Sequence, residues 1–411
     1  MMNFYNRFVE VSLIFDLIFY TNISAMKRLT IYCFLLILTA CSHNVSTNAE
    51  VENIDQRLQQ LVEEAVYDSF EQVPGVAMSV LAPKLDIQWS GAAGFDSREK
   101  DQALSSNQAF RIASVTKTFV AAAIIRLQEK GKLSIDDPIS TYLSPLHIKS
   151  LQKGQYDPSR ILIRHCLHHT SGLFDYALGD RTYINKALKD PKRRWTRTEQ
   201  LQIAMDTGQP LGEPGERYGY SDTGYILLGE IIETLQDTSL AAGLRALLSF
   251  DQLGLSATWL ESLEPAPQGV FPMVHRYFGR DTDASEWDNS IDLYGGGGLA
   301  STTKDLAAFL YALFNGQVFE KESSLELMLS KASYGETYDT EADPRFNDYR
   351  MGLWKTSLYG QEAFMHDGFW GSTFLYVPAN ECAIAINYTH GYRERLLKKT
   401  ALLIKNLQAA Q

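Results

Sequence analysis

The strand-like segments of this chain lie at its two ends, with a long helical stretch between them. Near the start, 76–81 and 87–91 read as strands, with Pro83 and Lys84 in the turn that separates them. Near the end, 349–354, 363–366, 373–377 and 382–388 read the same way. Outside both groups, 54–70 and 394–407 carry apolar residues at helical spacing, as with Ile54, Leu58, Leu61, Val62 and Ala65. Strands need a second layer to bury their faces, so the two groups have to meet in one sheet. The expected architecture is therefore α+β, with a mainly helical block over about 133–315 set beside that sheet. A cleft between sheet edge and lobe is a common place for a small-molecule site.

Composition narrows the functional classes. Of 411 residues, 45% are hydrophobic and 21% charged, an ordinary globular mix able to bury a sizeable core. The formal net charge is −11, and no Lys/Arg cluster marks a nucleic-acid partner. Before the first helix, Met26, Lys27 and Arg28 form a basic start, followed by an apolar run over 29–38 that ends Leu38-Thr39-Ala40-Cys41. This resembles a bacterial lipoprotein signal and implies cleavage before Cys41 with lipid on its thiol. Segment 1–25 carries an apolar stretch of its own at 11–20. It reads as an extension ahead of a start at Met26, or otherwise as an unusually long membrane anchor. Residues 41–52 are expected to tether the domain to the lipid. Ser42, in place of an aspartate that would retain a lipoprotein at the inner membrane, points to the periplasmic side of an outer membrane. Cys166 and Cys382 are expected to be buried single thiols.

The chemistry starts at Ser114-Val115-Thr116-Lys117, at the head of the apolar run Phe119 to Ile125. Positions i and i+3 share a helix face, so the hydroxyl and the amine point the same way. A serine hydroxyl becomes a nucleophile when a nearby base takes its proton, and an unprotonated lysine in a dry cleft can be that base. S-x-x-K alone occurs by chance in many helices, but four further segments follow it in order. They are His168-His169-Thr170-Ser171-Gly172-Leu173, the stretch Pro214 to Tyr225 containing Tyr220-Ser221-Asp222, the Gly295–Gly298 run leading to Asp305-Leu306, and His366-Asp367-Gly368-Phe369-Trp370-Gly371.

Together these segments resemble the serine beta-lactamase and DD-peptidase superfamily, in its class C-related, esterase-like branch. The resemblance implies a beta-lactamase/transpeptidase-like fold with an antiparallel sheet, occupying 53–411 after a signal segment at 1–40. It implies Ser114 as the acylated nucleophile, Lys117 as the group that shares or removes its proton, and Tyr220 as the second proton-handling group. A tyrosine beside a lysine ammonium is favoured as phenolate, so the pair is expected to pass one proton between them. The resemblance also places the oxyanion hole at the backbone N–H groups of Ser114 and Phe369, and substrate contacts at Asp222, His366 and Gly368. Trp370 either shapes an acyl pocket or caps the core. His165, His168 and His169 with Cys166 have metal-ligand spacing, but their segment matches the superfamily's structural H-T-S-G-L stretch, so no metal and no cofactor are expected.

Two departures bear on substrate. The superfamily's Y-x-N asparagine is Asp222 here, and an ionised carboxylate only accepts hydrogen bonds where an amide also donates. The lysine of K-T-G is His366, mostly neutral near neutral pH, so a substrate carboxylate loses a fixed cation. Both turn the expectation towards an acyl-enzyme hydrolase of an ester or a D-amino-acid amide or peptide. A penicillin-recognising DD-peptidase or beta-lactamase is the alternative, and a non-catalytic cell-envelope binding lipoprotein is the other.

Overall fold

The computed structural model describes residues 53–410, apart from 69–71, 101, 271, 280–281, 333–335, 338–347 and 392. The lipoprotein-like segment, with Cys41, lies outside the described residues, and the helix expected at 54–70 ends at Val66, with Tyr67 as its C-cap. Among the described residues no helix is long and apolar enough to cross a membrane.

The two groups of strands do form one sheet. Its strands are β1 (Gly75–Ala82), β2 (Ile87–Gly94), β3 (Trp354–Leu358), β4 (Gln361–Gly368), β5 (Ser372–Val377) and β6 (Cys382–Tyr388). They run in the order β3-β4-β5-β6-β1-β2, every pairing antiparallel. The closing pair joins β1 to β6, with Val76 opposite Tyr388 and Leu81 opposite Ala383. Alternation along each strand sends side chains to two layers. Met78, Val80, Ile384 and Ile386 pack under helices α1 (Ile54–Val66) and α5 (Glu394–Ala409), with Leu58, Val62, Leu397 and Ile404. Ala77, Phe374 and Ala385 face the larger core that holds helices α2 (Thr116–Glu129), α3 (Asp222–Gln236) and α4 (Thr303–Phe314).

Helix α2 carries the S-x-x-K lysine through the middle of this core. Every residue from Thr116 to Leu127 is buried, as expected of a helix that is apolar on all sides. One expected strand differs. Sequence places it at 349–354, whereas the strand begins at Trp354 and the preceding residues form a turn. In that turn Arg350 N donates to Leu353 O at 2.6 Å. Gly352 sits at φ +78°, where a Cβ would lie 2.8 Å from Lys117 O. Thr118 Oγ1 donates to Gly352 O at 2.5 Å. Contact with α2 therefore overrides the local strand preference. Cys166 and Cys382 are both buried and free.

Candidate active site

Ser114 lies in a single 3₁₀ turn, Ala113–Val115, that runs into α2. The residue before it, Ala113, has φ +45°, a left-handed conformation that costs energy for any residue with a Cβ. The surrounding packing holds it there. Ser372 Oγ on β5 donates to Ile112 O at 2.8 Å, and a Cβ on Gly368 would lie 2.2 Å from the same oxygen. Gly368 is thus a glycine because the backbone leading to Ser114 presses against the end of β4. The turn Gly368 to Gly371, closed by Gly371 N donating to Gly368 O at 3.0 Å, then places Phe369 beside the nucleophile's loop. The Phe369 ring is 50% exposed at the rim.

Lys117 is 0% exposed. Its Nζ donates to Ser114 Oγ at 3.0 Å and to Gly296 O at 2.6 Å, and it forms an ion pair with Asp222. The Gly295–Gly298 run, read from sequence as a tight turn, thereby brings a carbonyl to the lysine. It can do so because it packs tightly on α3: a Cβ on Gly295 would lie 2.5 Å from Tyr225 O. Asp222 opens α3, where a negative charge suits the helix dipole. Its N–H donates to Asp175 Oδ1 at 3.1 Å.

The His-Thr-Ser-Gly segment builds the platform for Tyr220. Gly219 N donates to His169 O at 2.8 Å and Gly215 N to Thr170 O at 2.7 Å. Ser221 N donates to His169 Nδ1 at 3.1 Å. His165 Nδ1 accepts from Leu162 N at 3.1 Å, while His168 Nδ1 and His169 Nε2 are buried without a hydrogen-bond partner. The Tyr220 hydroxyl faces the Ser114 side chain, and its ring lies 4.1 Å from that of His169.

The expectation of a phenolate at Tyr220 is corrected here. Burial, with the Asp222 carboxylate adding to it, holds the phenol well above its ordinary pKa. Lys117 Nζ stands over the Tyr220 ring, 5.0 Å from its centre. That geometry favours the ring face rather than a charged oxygen. Tyr220 therefore rests as a phenol.

His366 lies on β4, wholly buried, and points to the lobe side of the sheet, two residues from Phe364. Its Nδ1 and Asp367 O are 2.8 Å apart, and Nε2 and the Tyr349 hydroxyl 3.2 Å apart. Burial, helped by the Lys117 charge, pushes its pKa down to about 3. It is thus a neutral, internally bonded imidazole.

Sequence reasoning missed two carboxylates of this site. Asp175 is raised above the usual carboxylate range by burial and then by the Asp222 charge. Asp292 is pushed up to about 6 by burial, against the pull of Arg111. Its Oδ2 accepts from Trp370 Nε1 at 3.2 Å. Asp175 ends the His-Thr-Ser-Gly-Leu-Phe stretch and Asp292 precedes the glycine run by three residues, the only sequence signals either offered.

This arrangement is a buried Ser-Lys-Tyr set with one carboxylate ion-paired to the lysine and two more close by. The sequence profile of the beta-lactamase family matches residues 54–409, and the chain belongs to that family. Among relatives, a penicillin-binding protein of Bacillus subtilis is 28% identical over 267 residues, covering 62% of this chain and 56% of its own length. Esterase EstB of Burkholderia gladioli is 31% identical over 194 residues, 46% of this chain and 48% of the esterase. The chain thus spans about half the length of these two relatives. Among solved structures, a D-stereospecific amidohydrolase from Streptomyces superposes with a TM-score of 0.67 at 26% identity, covering 84% of this chain and 96% of the amidohydrolase.

Proposed function

We propose that this protein is a serine hydrolase that cleaves an ester or a D-amino-acid amide through an acyl-enzyme on Ser114. The observation that carries the reading is the bond from Lys117 Nζ to Ser114 Oγ at 3.0 Å, with the Tyr220 phenol facing the same side chain. Ser114 Oγ attacks the substrate carbonyl carbon, and its proton passes to Lys117. Lys117 in its ammonium form first has to release a proton, and Asp222 is the carboxylate in contact with it. The negative oxygen of the tetrahedral intermediate faces the backbone N–H groups of Ser114 and Phe369, a pair of preformed donors able to contribute several kcal/mol. Collapse expels the alcohol or amine, protonated by the Tyr220 phenol, whose raised pKa suits a donor. Lys117 passes the serine proton on to the Tyr220 phenolate, which resets both groups. Water then attacks the acyl carbon and gives its proton to Lys117, and Ser114 Oγ leaves with the proton of the Tyr220 phenol, which Lys117 again replaces. An ester or D-amino amide is favoured by the likeness to the Burkholderia esterase and the Streptomyces D-stereospecific amidohydrolase.

The test is rapid-mixing hydrolysis of a short-chain p-nitrophenyl ester beside the Ser114→Ala variant. A burst followed by turnover, absent in the variant, is expected. An active variant would sink the proposal. A second reading, cleavage of a D-alanyl peptide or a beta-lactam, is favoured by the similarity to a putative D-alanyl-D-alanine carboxypeptidase of Escherichia coli O157:H7. That relative is 24% identical and covered over 90% of its length. Stoichiometric labelling of Ser114 by a fluorescent penicillin would put it first.

We also propose that the protein sits in the bacterial cell envelope, anchored through lipid on Cys41 at the periplasmic side of an outer membrane. The sequence Leu38-Thr39-Ala40-Cys41 after its basic and apolar run supports this. Cys41→Ser is expected to move the protein from the membrane pellet to the soluble fraction.

A further inference from the structure

A cleft of about 370 Å³ is walled in part by Phe110 and Arg111, the short strand that leads to the nucleophile's turn. Arg111, three residues before Ser114, lines it, as does Trp370 from the turn after Gly368. So does Arg276, from a segment in which the sequence carries no motif. Each arginine has a buried Nη1 without a hydrogen-bond partner, and they differ in charge pairing. Arg111 is ion-paired with Glu261, which also accepts from Asn289 Nδ2 at 2.8 Å.

Arg276 is 4% exposed, and no carboxylate among the described residues pairs with it. Its Nε donates to Ala284 O at 2.6 Å and its Nη2 to Trp287 O at 2.9 Å. Its Cζ stands 4.9 Å over the Trp370 ring. Its Nη1 is buried without any hydrogen-bond partner. A purely structural role in tying 276–287 together accounts for Nε and Nη2. It leaves Nη1 idle and a buried charge uncompensated, and protein interiors avoid both. Asn387, 1% exposed and also on the cleft wall, has an unpartnered Oδ1. Three unpartnered polar atoms thus lie on residues of one cleft, and two of them, the Nη1 atoms of Arg276 and Arg111, are donors suited to an anion.

We infer that Arg276 receives a carboxylate of the substrate, so that the ester or amide cleaved at Ser114 carries an anionic arm reaching this cleft. The inference rests on the hydrolase reading and names its substrate class. A guanidinium is suited to a planar carboxylate, and Trp370 beneath it holds the fork in place. A singly charged group fits better than a phosphate dianion, because Glu261 lines the same cleft and Asp292 is bonded to Trp370. The cation missing at His366, which is buried and internally bonded, is thereby supplied from a different part of the chain.

The test uses matched ester pairs that differ only in charge. One pair is 4-nitrophenyl hydrogen glutarate and its methyl ester, with the carboxylate on the acyl side. The other is 3-acetoxybenzoate and its methyl ester, with the carboxylate on the leaving group. The protein is expected to prefer the charged member of at least one pair by about tenfold or more in kcat/KM, mostly through KM. Arg276→Gln should bring that ratio to within about twofold of one, and Arg276→Lys should restore part of it.

No preference in the unaltered protein would overturn the inference, whatever becomes of the variants' folding. So would a preference that survives in folded Arg276→Gln. Either result, with Ser114-dependent turnover of the neutral ester, leaves the hydrolase reading standing. Should no ester turn over, that reading fails, and calorimetric titration of glutarate decides the subsite alone. Heat that Arg276→Gln abolishes supports it, and no heat, or equal heat in both proteins, overturns it.

Discussion

Lys117, in contact with the nucleophile, and Arg276, on the wall of the cleft that Arg111 also lines, are both buried cations, and their surroundings are opposite. Lys117 has an acceptor on each side it presents: Ser114 Oγ, the Gly296 carbonyl and the Asp222 carboxylate. Arg276 has two carbonyls, an indole face and an idle nitrogen. A group that handles protons works best when its position does not depend on a ligand, and the neutral imidazoles of His169 and His366 near Lys117 keep that side dry. A group that recognises an anion works best when the protein itself leaves it short of one. The contrast separates a preorganised proton-handling floor from a cleft wall that awaits its counter-ion.

The sharpest way to break this contrast is on the floor. Ser114→Ala and Lys117→Ala are each expected to lower ester turnover by about 10⁴-fold or more, measured by single-turnover kinetics. Tyr220→Phe should lower kcat by about 10²–10⁴-fold with a smaller change in KM, since the phenol acts on the leaving group. A fall in KM alone would remove Tyr220 from the proton path.

Gly368→Ala tests the packing that sets the nucleophile's loop. Its Cβ would meet Ile112 O at 2.2 Å, a backbone atom that cannot swing away. A loss of about 2–4 kcal/mol in urea unfolding is expected.

The smallest effect comes from the buried histidines. Burial holds His168 down to about 4 and His366 down to about 3. Both stay neutral in the folded protein, while in the unfolded chain they bind protons below about pH 6.5. Stability from this source is full above that pH and is lost as pH falls towards 4 and 3. The loss is about 2 kcal/mol per histidine at pH 5. Asp175 and Asp292, held above their ordinary range, act with the opposite sign. The useful measurement is therefore a difference: His366→Asn should shrink the stability lost between pH 7 and pH 5 by about 2 kcal/mol. An unchanged slope would show His366 to be solvated.

Much of the fold was legible because it follows from local pattern. Strands at both chain ends, with apolar alternation, left one sheet as the way to bury them, and β1 does pair with β6. The strand expected at 349–354 failed because a strand is decided by its neighbours, and Gly352 packs on α2 instead. At the site, Ser114 and Lys117 were legible because three residues on a helix fix their proximity. Tyr220, Asp222 and His366 were legible as members of an ordered motif set, but their states were not. Whether Tyr220 is phenol or phenolate depends on burial and on which part of the residue Lys117 faces.

The order and identity of the chemical groups were thus determined by the sequence alone, because chain order and helical spacing are properties of the chain. Tertiary structure decided which charges are paired. Gly296, Asp175 and Asp292 reach the site from distant segments, Arg276 reaches the cleft that Arg111 lines, and only packing brings a carbonyl to Lys117. Packing also excludes water from both cations, and that makes a counter-ion essential for each. The chain supplies Asp222 for Lys117 and none for Arg276 among the described residues.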